Sequence, residues 1–581
     1  MTPLRSLRLQ MLHAPLLLVL LAVGVHAQAS SNKVWAAVAF INHGEKTPDF
    51  GGLQTVLTPA GAQQMLRQGA AFRSRYLSGS TSERNSSSAN AIGLAPIQNI
   101  AVDAIDNSQL DILSQQSQWV TGGAMAFLQG LYPANKGALN SLAGGEDLVN
   151  DFAANSSQTS YPLGGYQYPN IQSFSSNDPA SVVVQGTVGC NAWYNNANAT
   201  TQKALAERVK ATQSFYESLF SSAPLKGTIS IDQANYGNAY EIYELINYLY
   251  THNQTVFNGL FTPNDTLAEL RSNAFELELA TNGHNNTNTD NASLLPSIAG
   301  TTLARKVIDA FITSVKVAGS SDKLTLIFGS YESMLALLSL SGLYTRDNLL
   351  SGPFSTLPQP GAAMVFELIS DSANDATSMP SAENLSIRFT YRATADDDDE
   401  PFTTYSLFAS GFDGQTIPYT GFLTAMQKFT RDSSQWCDMC HSTTAPWCSS
   451  RKKSVTTPVA GAIGAILTIF VIGIGSLLLY GIGACHFGAS EGSSERNNHP
   501  GGFKGAEKMA SDTDLAVTKG GSQHERVGSW ELSDGNNKPS TGSIGIVTEE
   551  LGRDTLRMPR SLDEDGISLN GATPVKVHEG V

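Results

Sequence analysis

Ile41-Asn42-His43-Gly44-Glu45-Lys46-Thr47-Pro48 is the stretch on which the fold of this chain turns. It follows the apolar run Val34 to Ile41, which has the length of a buried strand. It precedes Leu57-Thr58-Pro59-Ala60-Gly61, a helix start with Thr58 as N-cap and Pro59 at the first helical position. A single histidine thus sits just past a strand, on a loop feeding a helix. In open α/β sheets ligands bind at that edge. The helix that follows is amphipathic as far as Leu77, with Ala62, Met65, Leu66, Gly69, Phe72 and Tyr76 at helical spacing.

Further along, Gly122-Gly123-Ala124-Met125-Ala126-Phe127-Leu128-Gln129-Gly130-Leu131-Tyr132-Pro133 reads as a second helix, and Gln202 to Phe220, Ala239 to Tyr250 and Arg305 to Val317 as others. Lys323 to Phe328 reads as a buried strand, followed by Gly329-Ser330-Tyr331-Glu332 and an apolar helix from Met334 to Leu343. Gly361 to Ile369 and Leu385 to Tyr391 alternate as a late pair of strands. The acidic run Asp396 to Glu400 lacks the alternate spacing of a calcium loop and reads as a solvated turn.

The octapeptide resembles the signature of the histidine acid phosphatases, the fungal acid phosphatase and phytase branch of the histidine phosphatase superfamily. That signature is Arg-His-Gly-x-Arg-x-Pro. His43, Gly44 and Pro48 match it, whereas Asn42 and Lys46 stand in place of the two arginines. Leu57-Thr58-Pro59-x-Gly61 and the Phe127 to Pro133 segment resemble the same family. A third family arginine falls in register with Trp119, and no arginine lies between Arg84 and Arg208. At Tyr331-Glu332 the family carries a second phosphate-binding histidine followed by an acid. The resemblance implies an α/β, phosphoglycerate mutase-like sandwich core with an inserted helical subdomain at about 145–300. It also implies His43 as nucleophile, Glu332 as proton donor, and Asn42, Lys46, Trp119 and Tyr331 lining the substrate position. No cofactor or metal ion is implied.

The departures bear on chemistry. A phosphoryl-transfer site needs cations on the non-bridging oxygens. Arginine supplies a planar fork; lysine keeps the charge as a point donor, while Asn, Trp and Tyr supply none. Losing one preorganised donor of this kind costs on the order of 10² to 10³ in rate. The expectation is a domain with impaired catalysis that acts in binding or sensing, its ligand phosphorylated or otherwise small. Two alternatives stand beside it: a tethered acid phosphatase working through a phosphohistidine at His43, and a structural cell-surface glycoprotein.

The ends place the domain. Arg5 and Arg8, the apolar Met11 to Val25 and the small-x-small Val25-His26-Ala27 form a secretory signal over 1–27. Val459 to Ala484 has no charged residue and is long enough to span a bilayer. Asn85, Asn155, Asn198, Asn253, Asn264, Asn285, Asn291 and Asn384 each open an Asn-x-Ser/Thr glycosylation acceptor, and none follows the apolar segment. Arg451-Lys452-Lys453, just before it, would place that side in the cytosol, but the signal and the acceptors favour a type I, single-pass topology. This gives a luminal domain over 28–455, a span at 459–484 and a disordered cytoplasmic tail over 485–581, at the cell surface or along the secretory and vacuolar pathway. The tail is a place for cytosolic partners. Cys190, Cys437, Cys440 and Cys448 suggest two disulfides, with three pairings open. A net charge of −15 with 15% charged residues gives no footprint of a nucleic-acid binder.

Overall fold

The computed structural model describes residues 32–449, apart from 53, 78–92, 136–150, 153–157, 160–161, 285–287, 372–376 and 409–413. The stretch expected to be a secretory signal, the apolar segment at 459–484, the residues after it and the expected acceptors Asn85, Asn155 and Asn285 lie outside the described residues. The chain divides into two units between Lys453 and Ser454, and only the first contains described residues. No helix among the described residues is long and apolar enough to cross a membrane.

The centre is one mixed sheet. Its strands are β1 (Lys33–Asn42), β2 (Leu110–Gln115), β3 (Ile171–Phe174), β4 (Leu324–Gly329), β5 (Ala363–Ser370), β6 (Leu385–Arg392), β7 (Thr403–Tyr405) and β8 (Thr416–Pro418). Their order is β8-β6-β5-β1-β4-β2-β3, with β7 also on β6. β1, β4, β2 and β3 run parallel; β5 and β6 are antiparallel to their neighbours, the pairing expected of the late strands. β1 is buried almost end to end because both its faces are covered. Val34, Ala37, Ala39 and Ile41 pack on one side with Met65 and Phe72 of α1 (Pro59–Phe72) and Ala124 and Phe127 of α2 (Gln118–Leu131). Val38 and Phe40 pack on the other, against helices later in the chain.

The helices after α2 include α3 (Asn191–Lys203), α4 (Ala206–Ser221), α5 (Ala239–His252), α6 (Pro263–Asn282), α7 (Ile298–Lys316), α8 (Tyr331–Leu340), α9 (Tyr419–Gln427) and α10 (Ser433–Cys440); α3 and α7 to α10 supply the face beneath Val38 and Phe40. Three differ from expectation. The single helix expected over Gln202 to Phe220 is two, because Leu205 leaves helical geometry. Trp193 then joins the core beneath the sheet, while Tyr216 and Phe220 turn to a separate cluster. α7 begins at Ile298 rather than Arg305. Its first turns are small residues without apolar rhythm, and Gly300 lies so close to the backbone of Ala336 and Leu337 that a side chain would collide. α8 begins at Tyr331 rather than Met334, which puts Tyr331 and Glu332 on its first turn.

α4, α5 and α6 lie in the chain between β3 and β4, within the 145–300 stretch expected to be helical, and share an apolar cluster of their own, a helical subdomain. Its cluster of Tyr216, Phe220, Tyr236, Ile242, Leu245, Ile246, Leu270 and Ala274 also takes in Phe50, Tyr331 and Leu335 from the sheet domain. Two disulfides join Cys190 to Cys440 and Cys437 to Cys448, so Cys437 and Cys440, with two residues between them, do not bond to each other. The acidic run is solvated at Asp396 and Asp398. What the sequence did not reveal is that its backbone wraps the fully buried Arg392, whose guanidinium donates to the carbonyls of Asp397 (2.6 Å) and Glu400 (3.0 Å).

Candidate functional site

Three strand ends meet. Asn42 pairs with Gly329 at the carboxyl ends of β1 and β4, and Ser114 of β2 pairs with Phe328. His43, Tyr331-Glu332 and the first turn of α2 thus lie along one edge of the sheet. Side chains fasten them: Gln118 Oε1 accepts from the amide of Leu57 (2.8 Å), and Ser330 Oγ donates to Gln115 Oε1 (3.3 Å). The turn after His43 is tight. A Cβ on Gly44 would overlap the Gly61 carbonyl, and one on Gly61 would overlap Glu45, so both positions are confined to glycine. Thr58 caps α1 by accepting from the Gly61 amide (3.0 Å), as expected.

His43 is 5% exposed, and its Nδ1 lies 2.7 Å from the Gly44 carbonyl. A carbonyl only accepts, so Nδ1 carries the proton in the neutral ring and Nε2 carries the lone pair. This is the tautomer a nucleophilic imidazole requires.

The phosphate positions are arranged differently. Asn42 turns its amide away, donating to the carbonyls of Gln359 (2.9 Å) and Pro358 (3.4 Å). Its buried Oδ1 has no partner among the described residues. Trp119 is buried in the core cluster shared by α1 and α2. Tyr331 lies in the cluster of the helical subdomain, its ring 4.5 Å from that of Tyr240. Lys46, 7% exposed, is gripped by both oxygens of Glu244 on α5, at 2.7 and 2.8 Å, with Asp49 at 3.5 Å.

Carboxyls gather around this lysine. Burial pushes Glu332 up to about 7, against the pull of Lys46 and with the push of Glu244 and Asp49. Burial, then Glu332 and Glu241, push Glu278 of α6 up to about 8. Glu244 is also raised, chiefly by burial, although it is paired with Lys46. Glu45 is held by Thr58 Oγ1 (2.7 Å) and by His252 Nε2 (2.9 Å) at the end of α5. Sequence reasoning missed Glu244, Glu278 and His252, because each pairs across many intervening residues. A signal was present: Tyr240, Glu244, Tyr248 and His252 recur every four residues and make one stripe along α5.

Raised carboxyls set a pH dependence. A group whose folded pKa lies above its unfolded one binds its proton more tightly in the fold. Its contribution is full below about 4.5 and is lost as pH rises toward about 8. The thermal midpoint is expected to fall between pH 5 and pH 8, and Glu278→Gln with Glu332→Gln to flatten that decline. An unchanged slope in the double variant would refute the assignment.

The chain belongs to the histidine phosphatase superfamily, branch 2, which matches residues 26–392. Among solved structures it is similar to the phytase from Citrobacter braakii, with 12% identity, a TM-score of 0.42, and 69% of this chain and 99% of that one covered. It is also similar to the Klebsiella sp ASR1 phytase, with 13% identity, a TM-score of 0.43, and 69% and 97% covered. The phytase from D. castellii gives 13%, 0.41, and 74% and 86%. Likenesses this distant carry no argument about substrate. Among curated proteins, none matches this sequence.

Proposed function

We propose that the chain is a type I, single-pass membrane glycoprotein whose histidine phosphatase domain has lost efficient phosphoryl transfer and works by binding or sensing. The observation that carries this reading is the bidentate pair between Lys46 and Glu244. The one cation retained at the signature is already neutralised, beside Asp49 and Glu332. A phosphate dianion entering there meets repulsion where a transferase offers a fork of arginines. The signal, the apolar segment and the acceptors support the topology; Asn253, Asn264, Asn291 and Asn384 lie at exposed positions, as glycan attachment requires.

A second reading is favoured by two observations. His43 is held in the nucleophilic tautomer, and Glu332, with its proton held up to about 7, is a competent acid at low pH. In this reading His43 Nε2 forms a bond to phosphorus as the P–O bond to the alcohol breaks. Glu332 gives its proton to the leaving oxygen, and water then hydrolyses the phosphohistidine.

The test uses the purified full-length chain against a phosphomonoester panel from about pH 3 to 7, with His43→Ala as control. The expected result is turnover by the native chain no greater than that of the variant. Activity abolished by His43→Ala would establish the second reading instead.

A further inference from the structure

We infer that Glu244 is a built-in anion. It occupies the lysine of the signature loop and excludes oxyanions of the phosphate class, making α5 an autoinhibitory strap across the site. This rests on the reading above and specifies how the site is closed.

The strap is built along one face. Tyr240, Glu244, Tyr248 and His252 stand at four-residue intervals on α5. Tyr240 stacks on Tyr331 at 4.5 Å, Glu244 clasps Lys46, and His252 meets Glu45 at 2.9 Å with its ring 4.6 Å from Tyr248. The opposite face of the helix buries Ile242, Leu245 and Ile246 in the cluster of the subdomain, so α5 cannot rotate about its axis without exposing them. Three contacts on three separate sheet-domain residues thereby fix where the Glu244 carboxylate lies.

Its chemistry is that of a competitor. Two carboxylate oxygens at 2.7 and 2.8 Å from one ammonium reproduce what two oxygens of an oxyanion would offer Lys46. With Lys46 7% and Glu244 15% exposed, water screens the pair poorly, and an incoming anion must displace the carboxylate or share the lysine with it. The other ionisable groups that meet the pair are Asp49 on the signature loop, Tyr240 on α5 and Glu332 on α8, and Glu332 in turn faces Glu278 on α6, which also feels Glu241 and Tyr331. Most are acids, so freeing Lys46 requires neutralising Glu244 rather than recruiting another cation. Falling pH does this in the native chain: Glu244, already raised by burial, takes its proton before an ordinary carboxylate, and Glu278 and Glu332, raised by the same cause, likewise lose charges that repel an anion.

The experiment measures binding of inorganic phosphate to the full-length chain at pH 7 by calorimetry, comparing the native protein with Glu244→Gln and Glu244→Ala. Each variant is expected to bind at least about tenfold more tightly than the native chain, a change of about 1.4 kcal/mol. Adding Lys46→Met to Glu244→Gln is expected to abolish the gain. Equal affinity in all proteins, no binding by either Glu244 variant, or a gain that survives Lys46→Met would each overturn the strap. Glu244→Gln keeps the size of the side chain and one acceptor oxygen while removing its charge, and its thermal midpoint beside that of Glu244→Ala shows that both variants are folded. This assay reads affinity, and the His43 assay reads turnover. Turnover by the native chain would sink the reading above while leaving a phosphate gain in Glu244→Gln intact, and the reverse outcome would separate them equally well.

Discussion

Glu367→Ala is expected to cost about 3–5 kcal/mol of stability, because it strands a buried guanidinium. Glu367 is fully buried on β5 and takes the Arg75 Nη2 at 2.7 Å, the Arg75 Nε at 2.9 Å, the Tyr76 hydroxyl at 2.8 Å and the Arg388 Nε at 2.5 Å. Arg388 is its cross-strand partner on β6, and Arg75 arrives from the turn of π-helix that ends α1. The guanidinium of Arg75 also lies 5.0 Å from the ring centre of Phe402. Burial alone would raise the Glu367 carboxyl, but Arg75 and Arg388 outweigh it and hold it below the usual range. Its folded pKa is therefore depressed. Its contribution is present above the ordinary carboxylate range and is lost as pH falls through the lowered value, opposite in sign to Glu278 and Glu332. The measurement is a denaturant midpoint at pH 7 for the native chain and for Glu367→Ala. A loss below about 1 kcal/mol would mean the guanidinium finds water when its partner goes.

Removing the Cys190–Cys440 disulfide by the double change to alanine is expected to cost about 5 kcal/mol by loop-closure entropy. The bond closes a loop of 250 residues that contains the whole inserted subdomain. The Cys437–Cys448 bond spans 11 residues, and the same reasoning gives about 3 kcal/mol for its loss. Thermal unfolding of the two double variants under non-reducing conditions compares them directly. An equal or reversed order would show that the long-range bond acts on native contacts of α10 rather than on the unfolded chain.

The layout of the sheet domain was legible because its strands are covered on both faces. β1 and β4 are buried along nearly their whole length and read as near-continuous apolar runs; β5 is buried as fully, around the single charge of Glu367. The start of α1 was legible because Thr58 and Pro59 are capping chemistry; the close approach of Gly44 to Gly61 was not, because the two lie on separate motifs. The start of α7 was hidden by its small residues, and the break at Leu205 by the absence of any proline or glycine. At the site, His43, Lys46 and Glu332 lie on local motifs beside strand ends and could be named in advance. Glu244 could not, since a surface-like glutamate on an amphipathic helix becomes an ion-pair partner only once α5 has been laid over the signature loop. The pocket's charge is thus decided by a contact of 198 residues' separation: the four-residue stripe on α5 marks a face, but nothing local says what that face meets.

Phe50, Tyr331 and Leu335 sit in the same apolar cluster as Ile242, Leu245 and Leu270. The helical subdomain is accordingly not a cassette that can be exchanged between relatives. A graft of α4 to α6 onto another member of the superfamily would bring Glu244 with it and leave an apolar seam without its mate. Selection on either partner in that seam must therefore act on both, which ties the history of the inserted helices to the history of the loop they cover.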